Sequence, residues 1–121
     1  MRYFSLNEFR CKHCWQLPPN GMSKVLLTKL DELRERVGGP IVVTSGYRCP
    51  THNRNEGGVW NSQHVQGTAA DIYAPGISVD HLATLAEDVG MDGIGRYYGA
   101  QFVHVDVRDG GQSPNTYKWE G

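Results

Sequence analysis

The chain has 121 residues, 39% of them hydrophobic, with 15 glycines and a formal net charge of −1. That length suits one domain over residues 1–121, with a small core and generous loops, and needs neither disulfide nor metal to fold. The near-neutral charge excludes broad attraction to nucleic acid or to an anionic membrane surface. Hydrophobic runs such as residues 41–43 are of strand length and exclude membrane insertion.

Residues 4–9 read as a short helix start. Ser5 caps it, Glu8 closes a capping box, and Phe4 staples onto Phe9. The clearest helix follows Ser23. Leu26, Leu30, Leu33 and Val37 recur at helical spacing and form one apolar stripe, while Lys29, Glu32, Arg34, Glu35 and Arg36 belong to the wet faces. Gly38-Gly39-Pro40 stops this helix. Residues 41–45 are rich in β-branched side chains and read as a buried strand.

From Gly46 to Gly67 the chain is polar and turn-rich, a loop long enough to suggest function. Residues 69–73 read as a second strand. Ser78 then caps a second helix carrying Val79, Leu82, Ala83, Leu85, Ala86 and Val89, with Gly90 at its end. Residues 93–97 and 102–107 read as two strands joined by a turn at 98–101. The tail after Arg108 is polar and turn-forming, with Tyr117 and Trp119 as docking residues. The sum is an α+β domain: a small, mostly antiparallel sheet with helices packed on one side.

The chemistry concentrates in two places. One is the run Ser62-Gln63-His64-Val65-Gln66-Gly67-Thr68-Ala69-Ala70-Asp71, and the other is Phe102-Val103-His104-Val105-Asp106. His64, Asp71 and His104 are two imidazoles and a carboxylate, the ligand set of a catalytic zinc with a fourth position left for water. In a strand, His104 and Asp106 share one face and Val103, Val105 and Val107 the other. The valines are core, so the polar face needs another reason to exist. Gly67, Thr68, Ala69 and Ala70 are small and let the backbone turn tightly between His64 and Asp71. Spacing alone leaves open a bland alternative, in which these histidines are hydrogen-bonded or surface residues.

Ser45-Gly46-Tyr47-Arg48, His52-Asn53, Gly57-Gly58, the S-x-H-x-x-G-x-A-x-D run and His104-Val105-Asp106 follow one another in an order that resembles the M15 family of zinc peptidases. This is the D-Ala-D-Ala carboxypeptidase-like group, which includes phage endolysins and peptidoglycan endopeptidases. The resemblance covers roughly residues 4–108. It implies the fold shared by D-alanyl-D-alanine peptidases and the Hedgehog signalling domain, and a zinc ion held by His64, Asp71 and His104. Arg48 matches an arginine that meets the substrate carboxylate, a task suited to its planar fork; its alternative is a structural salt bridge. Ser62 matches a serine that hydrogen-bonds substrate; its alternative is a turn-forming hydroxyl.

One position departs from the family. Many members carry Glu or Asp as general base three residues before the last histidine ligand, where this chain has Gln101. Asp106 is then expected as the base or as an aid to it, accepting the water proton and delivering it to the leaving amine. Two alternatives stand beside that. Asp106 orients His104, or the domain has no base and is an inactive, zinc-stabilised module that binds cell wall or a protein.

Cys11-Lys12-His13-Cys14 and Cys49-Pro50-Thr51-His52 together have the spacing of a second, structural zinc site with three cysteines and a histidine. A disulfide from Cys49 to Cys11 or Cys14, or three plain thiols, are the alternatives. Trp60 and Tyr97 are candidate walls of a substrate groove. The expected partner is a peptidoglycan peptide bound by a monomer. Residues 1–5 lack the apolar run of a signal peptide, so the expectation is cytoplasmic synthesis and release to the wall in the manner of phage or prophage lysis proteins.

Overall fold

A computed structural model describes residues 1–58 and 61–121. After a 3₁₀ turn at Leu6–Phe9, the elements are α1 (Lys24–Val37), β1 (Val42–Ser45), α2 (Pro50–Asn55), α3 (Gln63–Gln66), β2 (Ala69–Tyr73), α4 (Val79–Asp88), β3 (Gly93–Tyr97), β4 (Phe102–Asp106) and β5 (Tyr117–Glu120). The strands form one sheet in the order β1-β2-β4-β3-β5. All neighbours are antiparallel except β3 and β5, which run parallel. This is the expected α+β arrangement.

Local signals explain where the helices begin and end. Ser5 and Glu8 form the reciprocal capping box, although the turn they start is 3₁₀ rather than α. The Ser23 hydroxyl accepts from the Leu26 backbone N–H, and Gly38 ends α1 at φ 72°, the left-handed region open to glycine. Leu26, Leu30 and Leu33 are completely buried. Each such leucine is worth about 1.5–3 kcal/mol of apolar burial, enough to hold α1 on the sheet with little help from helix propensity.

The alternation in β4 sets the two faces of the sheet. Val103 and Val105 join Val43, Ala70, Ile72 and Ile94 in one buried cluster with the leucines of α1 and with Leu82, Ala83 and Ala86 of α4. His104 and Asp106 lie on the opposite face. Both long helices therefore cover one side, and the other side is left for chemistry. Among the described residues no helix is long and apolar enough to cross a membrane.

Two segments differ from the sequence expectation. The polar stretch from Gly46 to Gly67 contains α2 and α3, of six and four residues, which are too short to show a periodic apolar stripe. The tail adds a strand: Tyr117–Glu120 pairs with β3 in parallel register, Gly95 opposite Trp119. A four-residue strand whose pairing depends on a distant neighbour carries little local signal.

Candidate metal centre and substrate cleft

Each fixed position of the Ser62–Asp71 run has a physical task. Ser62 caps α3, its Oγ accepting from the His64 backbone N–H at 3.2 Å. Gly67 ends α3 at φ 75°, and a Cβ there would also come within 2.8 Å of Pro18. The reversal at Gly67 sends the chain into β2, so that His64 from α3 faces Asp71 from the strand. On the other side, β1 carries a bulge between Val43 and Ser45. Bulges re-aim a strand end next to functional sites, and here the strand runs on into Gly46, whose carbonyl meets His64.

The sheet register places the remaining groups in two rows. Asp71, His104, Gly95 and Trp119 lie side by side across β2, β4, β3 and β5. Ala69, Asp106 and Gly93 form the next row. The small residues make room. A Cβ on Gly95 would come within 2.5 Å of Trp119 Nε1, and one on Gly93 would collide with the Asp106 carboxylate. Gly95 thus lets the indole of Trp119 lie across the sheet, its ring 5.0 Å from that of His104.

Hydrogen-bond roles then fix the tautomers. His64 Nδ1 lies 2.8 Å from the Gly46 carbonyl, which can only accept. Nδ1 therefore carries the proton, and Nε2 turns a lone pair toward Asp71 Oδ1 at 3.2 Å. His104 Nε2 lies 2.8 Å from Asp106 Oδ2, and its Nδ1 faces Asp71 Oδ1 at 3.2 Å. In neutral His104 the proton belongs on the Asp106 side, leaving a second lone pair on Nδ1. Three acceptor atoms, buried and all within 4.8 Å of one another, converge on one point. Such a cluster is repulsive unless a proton or a cation sits among them. One carboxylate and two imidazoles, each imidazole oriented by a second partner, are the donor set zinc takes. The residues fit the metal.

Arg48 supplies positive charge at the edge of the centre. Its Nε donates to Ser45 Oγ at 3.1 Å, and Nη2 donates to Asp71 Oδ2 at 3.1 Å. The salt-bridge alternative is therefore real, yet the guanidinium also lines the cleft above the centre, with N–H groups left to donate. That cleft has a volume of about 540 Å³ and Ser62, His64, Asp71 and His104 are in its lining. One wall is aromatic. Tyr97 and Phe102 stack at 4.5 Å across the β3–β4 hairpin, and Trp119 Nε1 donates to Tyr97 Oη at 3.0 Å. The expected groove role of Tyr97 has this position behind it; Trp60 lies outside the described residues.

Asp106 does not meet the expectation of a general base. Its side chain has no exposure, and Oδ2 takes both His104 Nε2 at 2.8 Å and Arg108 Nη2 at 2.7 Å. Oδ1 accepts from the Arg108 backbone N–H and Nε at 3.1 and 3.0 Å. It is absent from the described lining of the cleft. Strand alternation put it on the correct face, but its neighbours consume both oxygens, so it orients His104. Gln101 is no base either: it sits in the hairpin turn at φ 61°, its side-chain amide donating to the Tyr98 carbonyl at 2.6 Å. Sequence reasoning missed Arg108, two residues beyond Asp106, which pins the carboxylate and packs over the rings of Tyr117 and Trp119 at 4.9 and 5.2 Å. Glu56, in the polar stretch read as a loop, also lines the cleft and contacts His52 Nε2 at 3.1 Å. Cys11, Cys14 and Cys49 form a separate cluster with His52 close by.

The model of the Peptidase M15 family matches residues 2–106. The chain belongs to that family. Among its relatives is the zinc D-Ala-D-Ala carboxypeptidase of Streptomyces albus G, 38% identical over 88 residues, which cover 71% of this chain and 34% of the relative. The peptidoglycan L,D-endopeptidase MepK of Escherichia coli is 33% identical over 73 residues, 56% of this chain and 40% of the relative. A probable peptidoglycan L,D-endopeptidase MepK from Haemophilus influenzae is 26% identical over 112 residues, 86% of this chain and 58% of the relative. The chain thus spans about a third to three fifths of the length of these relatives.

The charges of this Peptidase M15 centre suit metal binding at neutral pH. Burial alone would push the Asp71 carboxyl up, but its hydrogen bonds to His104 and His64 hold it far below the ordinary 3.8. Burial likewise opposes ionisation of Asp106, and His104 and Arg108 outweigh it, bringing that group to about 2. Burial would lower His104, yet Asp106 and Asp71 together raise it above the ordinary 6.5. Protonated His104 therefore stabilises the metal-free chain. That stability is complete below the unfolded value of 6.5 and is lost as pH rises through the raised folded value. Zinc needs the same nitrogen free, so proton and metal compete. The gain in melting temperature on adding zinc is expected to be small near about pH 5.5 and to grow toward about pH 8. Melting curves with and without zinc across that range check this; a gain independent of pH contradicts it.

Proposed function

We propose that the chain is a zinc-dependent peptidase that hydrolyses peptide bonds in the stem peptides or crosslinks of peptidoglycan. The observation that carries the reading is the convergence of the His64, Asp71 and His104 acceptor atoms on the floor of a cleft edged by Arg48. The names of the relatives, a zinc D-Ala-D-Ala carboxypeptidase and a peptidoglycan L,D-endopeptidase, support the substrate class.

A bound zinc supplies a Lewis acid and lowers the pKa of its water to about 7. The chain's own residues do the rest. Asp106 and the Gly46 carbonyl hold the two imidazoles in the tautomers that leave His104 Nδ1 and His64 Nε2 free. Arg48 keeps one guanidinium edge on Ser45 and Asp71 and offers its remaining N–H groups to a carboxylate of the stem peptide. The Ser62 hydroxyl accepts from the α3 backbone and retains its O–H to donate to the peptide. The Tyr97–Phe102 wall gives an apolar surface along which the peptide lies. Of the carboxylates on the described lining, Glu56 is the one outside the ligand trio, and its side chain is 58% exposed and open to the cleft.

Digestion of purified peptidoglycan by the zinc-loaded chain, followed by mass spectrometry of the muropeptides, tests this. Loss of terminal D-alanine or separation of crosslinked stems is expected, abolished by a chelator and restored by zinc. An unchanged muropeptide profile from a zinc-loaded chain that sediments with the wall would overturn hydrolysis and favour a binding module.

A further inference from the structure

The cysteines that the cleft does not use sit where two distant segments meet. Residues 11–16 form a closed knuckle: Cys11 N–H donates to the Gln16 carbonyl at 2.9 Å and Trp15 N–H to the Cys11 carbonyl at 2.8 Å. Trp15 stands at φ 61° in this turn, a backbone region that a bulky residue keeps only when its surroundings enforce it. Opposite the knuckle, Cys49 caps α2, its Sγ accepting from the His52 backbone N–H at 3.4 Å. The Sγ atoms of Cys11, Cys14 and Cys49 all lie within 4.8 Å of one another. All three are free thiols.

The surroundings of the sulfurs resemble a ligand shell more than a hydrophobic contact. Cys11 Sγ accepts from the backbone N–H groups of His13 and Cys49, each at 3.4 Å. Amides aimed at sulfur favour the thiolate, the form that binds metal. His52 Nδ1 is 3.4 Å from Cys11 Sγ, and its other ring nitrogen is 3.1 Å from Glu56 Oε1. A histidine held by a carboxylate on one nitrogen, with the other turned toward a sulfur of the cluster, is the usual arrangement of a metal-binding imidazole. His13 Nδ1 also approaches Cys49 Sγ, at 3.5 Å, but His13 is exposed, and no carboxylate contact to its other nitrogen is found among the described residues.

We propose that Cys11, Cys14, Cys49 and His52 form a structural zinc site that fastens the N-terminal knuckle to the loop carrying Arg48. Three sulfurs and one imidazole are a closed tetrahedral set, with no position left for water, so the site holds structure rather than chemistry. Its reach extends to the cleft through short links. Arg48 directly precedes Cys49. Tyr47 N–H donates to the Phe9 carbonyl at 2.8 Å, two residues before Cys11. Gly46, whose carbonyl orients His64, packs so closely on Phe9 that a Cβ would come within 2.6 Å of its Cα. Glu56 joins His52 to the cleft rim. The site stands independently of the peptidase reading, because none of its ligands is in the His64/Asp71/His104 centre.

Cobalt(II) titration of the reduced 121-residue chain tests the proposal by a signal that the other centre cannot give. Thiolate ligation produces a sulfur-to-cobalt charge-transfer band, and the His64/Asp71/His104 centre contains no sulfur. The band is expected in the wild-type chain and is displaced by zinc. It should be lost in Cys14→Ser, whose side chain is exposed and whose replacement leaves the core intact. It should be lost or strongly weakened in His52→Ala and retained in His13→Ala. Absence of the band from the reduced, folded wild-type chain, or an undiminished band in Cys14→Ser, overturns the site. Loss in His13→Ala with retention in His52→Ala overturns the assignment of the fourth ligand.

Discussion

His64→Ala is expected to remove zinc from the cleft and to lower kcat/KM by about 10³-fold or more, equivalent to about 4 kcal/mol of transition-state stabilisation. The size follows from the geometry. Among the described residues, His64 Nε2 is one of three atoms directed at the metal position, and two remaining ligands do not hold zinc in a partly open cleft. The substitution also leaves the Gly46 carbonyl without its imidazole partner, at a cost of about 1–3 kcal/mol in stability. Metal analysis, circular dichroism and muropeptide hydrolysis on the same preparation separate the effects. The expected result is a folded chain with one zinc fewer than wild type and no hydrolysis. Wild-type activity in a variant lacking that zinc would remove the metal from the mechanism.

Asp106→Asn is expected to weaken zinc binding about 10–100-fold while leaving turnover within a few-fold of wild type once zinc is saturating. The carboxylate lies outside the cleft lining and is enclosed by His104 and Arg108, so it acts on the metal through the orientation and basicity of the imidazole. Asparagine can still accept from His104 Nε2 but loses the charge and half of the fork that binds Arg108. Zinc competition assays give the affinity, and initial rates against zinc concentration give the saturated turnover. A variant that binds zinc normally yet turns over poorly at saturation would restore Asp106 as the proton acceptor.

The contrast over Asp106 shows where sequence reasoning reaches its limit. The period of β4 sufficed to divide Val103 and Val105 from His104 and Asp106, because alternation is a local property of a strand. The strand at 69–73 and the ligand types of the Ser62–Asp71 run were legible for the same reason, whereas α3, only four residues long, was not. What Asp106 touches was not local. It depends on Arg108 bending back and on Gly93 standing opposite in the register of β3, which only the assembled sheet decides. In sequence Gly93 and Gly95 are simply members of the strand expected over residues 93–97. Their purpose, space for a carboxylate and for the Trp119 indole, appears only once β4 and β5 lie on either side of them. The closeness of Cys11 and Cys14 to Cys49 was expected from ligand spacing, but the hydrogen bonds around the sulfurs and the Glu56 contact to His52 required the fold.

Crystals of the chain soaked in zinc, with anomalous difference maps collected at the zinc absorption edge, test the central claim most directly. The account predicts a peak within bonding distance of His64 Nε2, His104 Nδ1 and an Asp71 carboxylate oxygen, with Asp106 hydrogen-bonded to His104 and off the metal. Absence of a peak at that point in zinc-saturated crystals, or a peak ligated by Asp106 in place of Asp71, would contradict it.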